Sequence, residues 1–458
     1  MKRLTSFLIL VLFVIAVQAQ RAKYVFYFIG DGMGLNQVNA TEMYLAEQEG
    51  RIGIKPLQFP SFPVAGMATT FSKSNSITDS SAAGTALATG TKTYNGALGV
   101  DADKNAVYSV AVKAQQAGKK VGIATSVGID HATPGAFYAH QPDRNMYYEI
   151  SLDLAKTGFD FYAGSGFNCR DTQKIFAAIE QAGYTIARGT DEYKEKCDDA
   201  QKMLLIQEEG YLPFSLPYAI DRKEGDLTLA QITESAIDFL TEDNRKGFFL
   251  MVEGGKIDWA CHDNDPATVV NEVIDFDNAI KVAYEFYQKH PKETLIVVTA
   301  DHETGGLGLG NSDYTLNLKA LGNQQQSSET LSRDITTLRK NENATWENMK
   351  DLLSERMGFW DELSLTWEQE RLLHNEFDQS FVQHKVVFAE SLYSKTEPVA
   401  AAARKVMSQI AKLGWTSGSH TAEYVPVFAI GANAKLFSGK MDNTDIPKRI
   451  AKAAGYKW

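Results

Sequence analysis

The chain has 458 residues, 44% of them hydrophobic and 22% charged, which excludes a disordered chain and leaves enough apolar material for a large buried core. Its formal net charge of -11, with no Lys/Arg block and no aromatic-basic stripe, excludes the electrostatic footprint of a nucleic-acid binder. Three cysteines, Cys169, Cys197 and Cys261, are too few for a disulfide scaffold; one Cys169–Cys197 bridge could form, which leaves Cys261 over as a packed thiol.

The opening MKRLTSFLILVLFVIAVQAQ has a basic start, an apolar run and a small-residue step before Gln20. It reads as a cleaved export signal over Met1 to Ala19, with a secreted or periplasmic mature protein. The apolar run is short for a membrane span, no later segment reaches the length a span needs, and no Cys stands at the cleavage point to carry a lipid. The N-A-T triplets at Asn39 and Asn343 read as unmodified asparagines.

Further along, KYVFYFIGDGMG, KVGIATSVGIDHATPGAF, GFFLMVEGGKIDWACH, LIVVTADHETGG and YVPVFAIG are β-rich runs that end in polar, chemically loaded residues. Between them lie helical patterns such as VYSVAVKAQQAGKK, TLAQITESAIDFLTED and VVNEVIDFDNAIKVAYEFYQKH. Continuous apolar strands alternating with helices predict an α/β fold with a mostly parallel central sheet and helices on both faces. Residues 311–414 are polar, helix-rich and free of strand-ended motifs, so they read as a helical insert; residues 20–310 and 415–458 form the α/β part.

In such a sheet the site lies beyond the carboxyl ends of the strands, and that rule gives the loaded loops a common address. Asp31 ends the first run, in a G-D-G-M-G turn whose glycines admit close approach. Glu253, Asp258 and His262 follow FFLMV, and Asp258 and His262 stand four apart, on one helical face. Asp301 and His302 end LIVVTA, and His420 precedes the last apolar run. Carboxylates and imidazoles without thiolate suit zinc, and carboxylates with a hydroxyl suit magnesium, so the set points to a multi-metal site of the kind used for displacement at phosphorus. The stretch SITDSSAAGTALATG taken alone is a tightly packed helix with a polar cap.

Together these motifs resemble the alkaline phosphatase family, from Tyr24 to Gly310 and again from Trp415 to Gly431, each element in the family's order. The resemblance implies that Ser80, after Asp79, is the nucleophile, with Ser81 where Ala is common. It implies one zinc on Asp258, His262 and His420, a second on Asp31, Asp301 and His302 beside Ser80, and one magnesium on Asp31, Thr133 and Glu253. Arg144 matches the family's phosphate-clamping arginine, whose fork suits two oxygens of a monoester dianion. His131 stands where a carboxylate near the magnesium can occur, and Trp259 where a Lys can occur.

The implied activity is hydrolysis of phosphate monoesters through a phosphoseryl intermediate, releasing an alcohol and inorganic phosphate, in a family whose members are often homodimers. A secreted phosphodiesterase on the same sheet and a non-catalytic metal- or phosphate-binding protein are the competing readings. Arg144 argues against the first and the intact residue set against the second. A sulfatase is excluded because DSSAAG lacks the C/S-x-P-x-R pattern.

Overall fold

The computed structural model describes residues 21–207, 215–311, 313–341 and 344–458. The segment read as an export signal and Asn343 lie outside them. None of the described helices is long and apolar enough to cross a membrane.

The strands of the predicted runs are β1 (Tyr24–Gly30), β3 (Lys120–Thr125), β7 (Phe248–Gly254), β8 (Thr294–Thr299) and β15 (Val425–Gly431). Along β1, β7 and β8 every residue is buried, as their continuous apolar sequences require of strands covered on both faces. Five further strands complete the sheet: β2 (Val64–Thr69), β4 (Phe161–Gly164), β5 (Tyr184–Arg188), β6 (Lys202–Ile206) and β16 (Gly439–Asp442). The order among the described residues is β16-β2-β15-β8-β1-β7-β3-β4-β6-β5. All pairings are parallel except those of β15, which runs against both β8 and β2.

Register brings the loops together. Ile29 pairs with Glu253 on one side and with Thr299 on the other, and Thr125 pairs with Glu253, so Asp31, Glu253 and Asp301 emerge at one level of the sheet edge. Since β15 runs the other way, its beginning lies at that same edge, and His420 arrives there ahead of its strand rather than after it.

Outside the sheet, the described residues also form the short strands β9 (Glu303–Thr304), β10 (Leu307–Leu309), β11 (Ala389–Glu390) and β12 (Lys395–Thr396). Two more, β13 (Leu413–Trp415) and β14 (His420–Thr421), pair antiparallel with β10 and β9. The β10–β13 pair forms a stem from which the intervening chain emerges. That chain is mostly helical, over Ser328–Arg339, Trp346–Met357, Trp367–Phe377 and Pro398–Ala411. It also carries a small hairpin of β11 and β12. Its apolar side chains, including Leu331, Ile335, Leu353 and Val406, share one core with Ala267 and Val270 of the long Pro266–Lys289 helix.

Cys169, Cys197 and Cys261 are all free thiols, so the Cys169–Cys197 bridge that the sequence allowed is not formed. Cys261 is buried in the main core.

Candidate active site

Asp79 caps the Ser80–Thr89 helix: its backbone is extended and its Oδ1 accepts from the N–H of Ala82 at 3.0 Å. Every residue of this helix is buried. A Cβ on Gly84 would lie 3.3 Å from both the Ala136 Cβ and the Thr133 Cα, so the run of Ala, Gly and Thr lets the helix press against the Ala132–Gly135 turn of helix. That packing holds Ser80 at the first helical position, where free N–H groups and the positive end of the helix dipole favour an anion.

Around Ser80 the strand-end residues gather into three groups whose ligand atoms lie within 4.8 Å of one another: Asp258, His262 and His420; Asp31, Asp301 and His302; and Asp31, Glu253 and His131. Ser80 Oγ is 3.2 Å from His302 Nε2. Asp31 belongs to two groups, and Gly32 beside it explains the close approach. It has φ +71°, and a Cβ there would meet the Asp258 Cα at 2.8 Å.

The imidazoles are oriented from behind. Nδ1–H of His262 donates to Gly418 O at 2.7 Å and that of His420 to Thr78 O at 2.8 Å, while His302 Nδ1 stands 3.2 Å from Thr304 Oγ1. Each ring therefore turns its Nε2 lone pair inward, the arrangement of metal-ligating histidines. His262 Nε2 and His420 Nε2 approach to 3.1 Å.

Facing them are buried oxygens that no protein donor satisfies: both carboxylate oxygens of Asp31, Glu253 Oε1, Asp258 Oδ2, Asp301 Oδ2 and Thr133 Oγ1. Burial and then mutual repulsion push the Asp31 and Asp301 carboxyls well up, and burial pushes Glu253 up to about 7. Burial would raise Asp258 too, but His262, His420 and His302 hold it below the usual carboxylate range.

Arg144 reaches the same place. Its Nη1 donates to Asp79 Oδ2 at 3.2 Å, and its Nη2 lies 3.3 Å from His131 Nε2. Burial and the neighbouring guanidinium drive His131 down to about 3, so the ring is neutral. Trp259 closes one side, 5.9 Å from the His131 ring. The structure thus brings together all thirteen residues singled out from the sequence.

Three contributors were missed. Thr125 Oγ1 donates to Glu253, and Thr304 Oγ1 donates to Asp258 Oδ1 at 2.5 Å; both sit at or beside a strand end, where the loaded-loop rule would have found them. Tyr393, at the tip of the β11–β12 hairpin, bonds Arg144 Nη2 through its hydroxyl at 3.2 Å and stacks on Trp259 at 4.6 Å. No strand-end signal marks it.

A sheet edge that gathers unsatisfied carboxylates, inward-turned imidazoles, a helix-capping serine and an arginine defines a hydrolase built for phosphate esters. Sequence comparison agrees: the alkaline phosphatase family model matches residues 22–160 and 162–456. Alkaline phosphatase 4 of Bacillus subtilis is 35% identical over 93% of this chain and 88% of its own. Among solved structures, the cold-active alkaline phosphatase of the psychrophile Shewanella sp. superposes with a TM-score of 0.79 at 30% identity, over 94% of this chain and 99% of that one. A His-to-Asp mutant of the TAB5 enzyme, from an Antarctic bacterium and solved with Mg bound in the M3 site, gives 0.69 at 25%, over 96% and 100%. The chain belongs to the alkaline phosphatase family.

Proposed function

We propose that this enzyme hydrolyses phosphate monoesters with Ser80 as nucleophile and Arg144 as phosphate clamp. In this reading two zinc ions sit on Asp258, His262 and His420 and on Asp31, Asp301 and His302, and a magnesium ion on Asp31, Thr133 and Glu253, with His131 beside it. The observation that carries it is the meeting of inward-facing Nε2 lone pairs and unsatisfied buried carboxylate oxygens around one serine. Buried carboxylates without donors need cations, and this donor set suits zinc and magnesium.

Arg144 holds two non-bridging oxygens of the dianion, while Asp79 keeps one arm of the guanidinium in place. The Ser80 helix adds backbone N–H groups to the same charge. Ser80 Oγ forms a bond to phosphorus as the bond to the alcohol oxygen breaks on the opposite face, leaving a phosphoseryl group. Water attacks that group in turn, which restores Ser80 and releases inorganic phosphate. When bound, the metal ions supply the Lewis acidity that favours the deprotonated serine, alcohol and water oxygens. Recognition rests on the phosphoryl group, so a range of alcohols is accepted. Residues 1–19 act as the export signal in the same reading, with residues 311–414 an insert in the catalytic α/β part.

The test is hydrolysis of para-nitrophenyl phosphate against bis(para-nitrophenyl) phosphate by the zinc- and magnesium-loaded enzyme. Ser80→Ala is expected to lower monoester turnover by at least about a thousandfold, and Arg144→Ala to lower kcat/KM by about a hundredfold. Faster diester cleavage, or full activity in Ser80→Ala, would overturn the assignment.

A further inference from the structure

The insert reaches the site through Tyr393. Tyr393 occupies the tip between β11 and β12, where the Ser391 N–H bonds Ser394 O at 3.0 Å. The tip is moored to the α/β part: Ser394 Oγ donates to Asp263 Oδ1 at 2.5 Å, next to His262, and Arg404 Nη1 donates to Thr396 Oγ1 at 3.0 Å while lying 3.6 Å from Asp263. The ring is therefore fixed. It stacks on Trp259 at 15° and stands edge-on to His131 at 5.7 Å and to His262 at 5.5 Å.

Its hydroxyl accepts from Arg144 Nη2, and the hydroxyl proton has no acceptor among the described residues. A dianion held by Arg144 brings an oxygen beside that donor. On the other side, His131, Trp259 and Tyr393 also wall a cavity of about 460 Å³ that Tyr147 and Asn168 help to line. Tyr393 and Trp259 thus border this cavity, with Tyr393 also beside His262 of the metal-ligand cluster.

We propose that Tyr393 is a substrate-contacting, specificity-determining residue. Its hydroxyl donates a hydrogen bond to a non-bridging phosphoryl oxygen, and its ring, backed by Trp259, fills the space that the second ester group of a diester would need. The proposal rests on Arg144 being the phosphate clamp. It gives the insert a part in choosing monoesters over diesters: the hydroxyl rewards a free oxygen and the ring excludes a substituted one.

The test compares Tyr393→Phe, which keeps the ring and its stack, with Tyr393→Ala, in the metal-loaded full chain and at a pH well below the phenol's range. Tyr393→Phe is expected to lower kcat/KM for para-nitrophenyl phosphate about tenfold and to weaken inhibition by inorganic phosphate by a similar factor, with diester cleavage unchanged. Tyr393→Ala is expected to show the same monoester loss together with several-fold faster diester cleavage. A Phe variant with unchanged monoester kcat/KM and phosphate inhibition overturns the proposal. So does an equal fall for monoester and diester, the mark of a merely structural role. Arg144→Ala in the same assay separates the two readings: if it too leaves monoester kcat/KM unchanged, the clamp has failed rather than Tyr393 alone.

Discussion

At the scale of single residues, Asp79 carries more than its place before Ser80 suggests. It receives Ala82 N–H at 3.0 Å, Ser81 Oγ at 2.5 Å, Gly96 N–H at 3.1 Å and Arg144 Nη1 at 3.2 Å. One carboxylate thus caps the Ser80 helix and aims the arginine. Asp79→Ala is expected to remove about 1 kcal/mol of stability through the cap and to raise KM for a monoester about tenfold through the released guanidinium, read by thermal denaturation and steady-state kinetics. Ser81→Ala should do much less, because Gly96 N–H keeps Asp79 as an acceptor when it loses Ser81 Oγ at 3.1 Å. The site was legible where side chain and strand end coincide: Asp31, Glu253, Asp258, Asp301 and His302 announce themselves at the ends of apolar runs. Thr133 and Arg144 were found only through a family likeness, because a Thr-Pro step and an arginine in a loop are ordinary in isolation. Tyr393 had neither signal, since its hairpin is fixed by tertiary contacts to Asp263 and Arg144 rather than by local pattern.

At the scale of elements, the Ser80–Thr89 helix shows why small side chains were needed. It is buried on all sides, and Gly84 faces the Ala132–Gly135 segment, which itself carries Thr133. Gly84→Val is expected to cost about 1–3 kcal/mol by overpacking and to depress activity through both Ser80 and Thr133. A variant equal to the parent in Tm and kcat would show that the two helices have room to part. The same element scale marks the limit of pattern reading. β1, β3, β7 and β8 were found because continuous apolar strands in a doubly covered sheet have few alternatives. β2 was not: VAGMAT is short, glycine-broken and largely half-exposed, and it is a strand only because β15 and β16 flank it. The direction of β15 was also beyond local pattern, since a run of apolar residues looks alike in either orientation.

For the whole molecule, the sheet edge stores repulsion. Asp31, Glu253 and Asp301 lie buried together with unsatisfied oxygens, so cations that bind the folded form alone must stabilise it. Removing metal with a chelator is expected to lower Tm, and restoring zinc and magnesium to raise it again, each bound ion adding about 4 kcal/mol of stability when free metal exceeds its Kd a thousandfold. Differential scanning calorimetry reads this without any substrate, and an unchanged Tm would show that the cluster holds no cation.

The antiparallel strand has a temporal meaning as well as a spatial one. β2 is complete by residue 69, yet its partners in the sheet among the described residues, β15 and β16, begin at residues 425 and 439. That strand must therefore wait, unpaired, until the chain from residue 69 to residue 425 has emerged, and His420 arrives in the same segment. Pairings so distant in sequence close slowly. One end of the sheet and His420 are thus completed together, so a nascent chain that stops before residue 420 has neither of them.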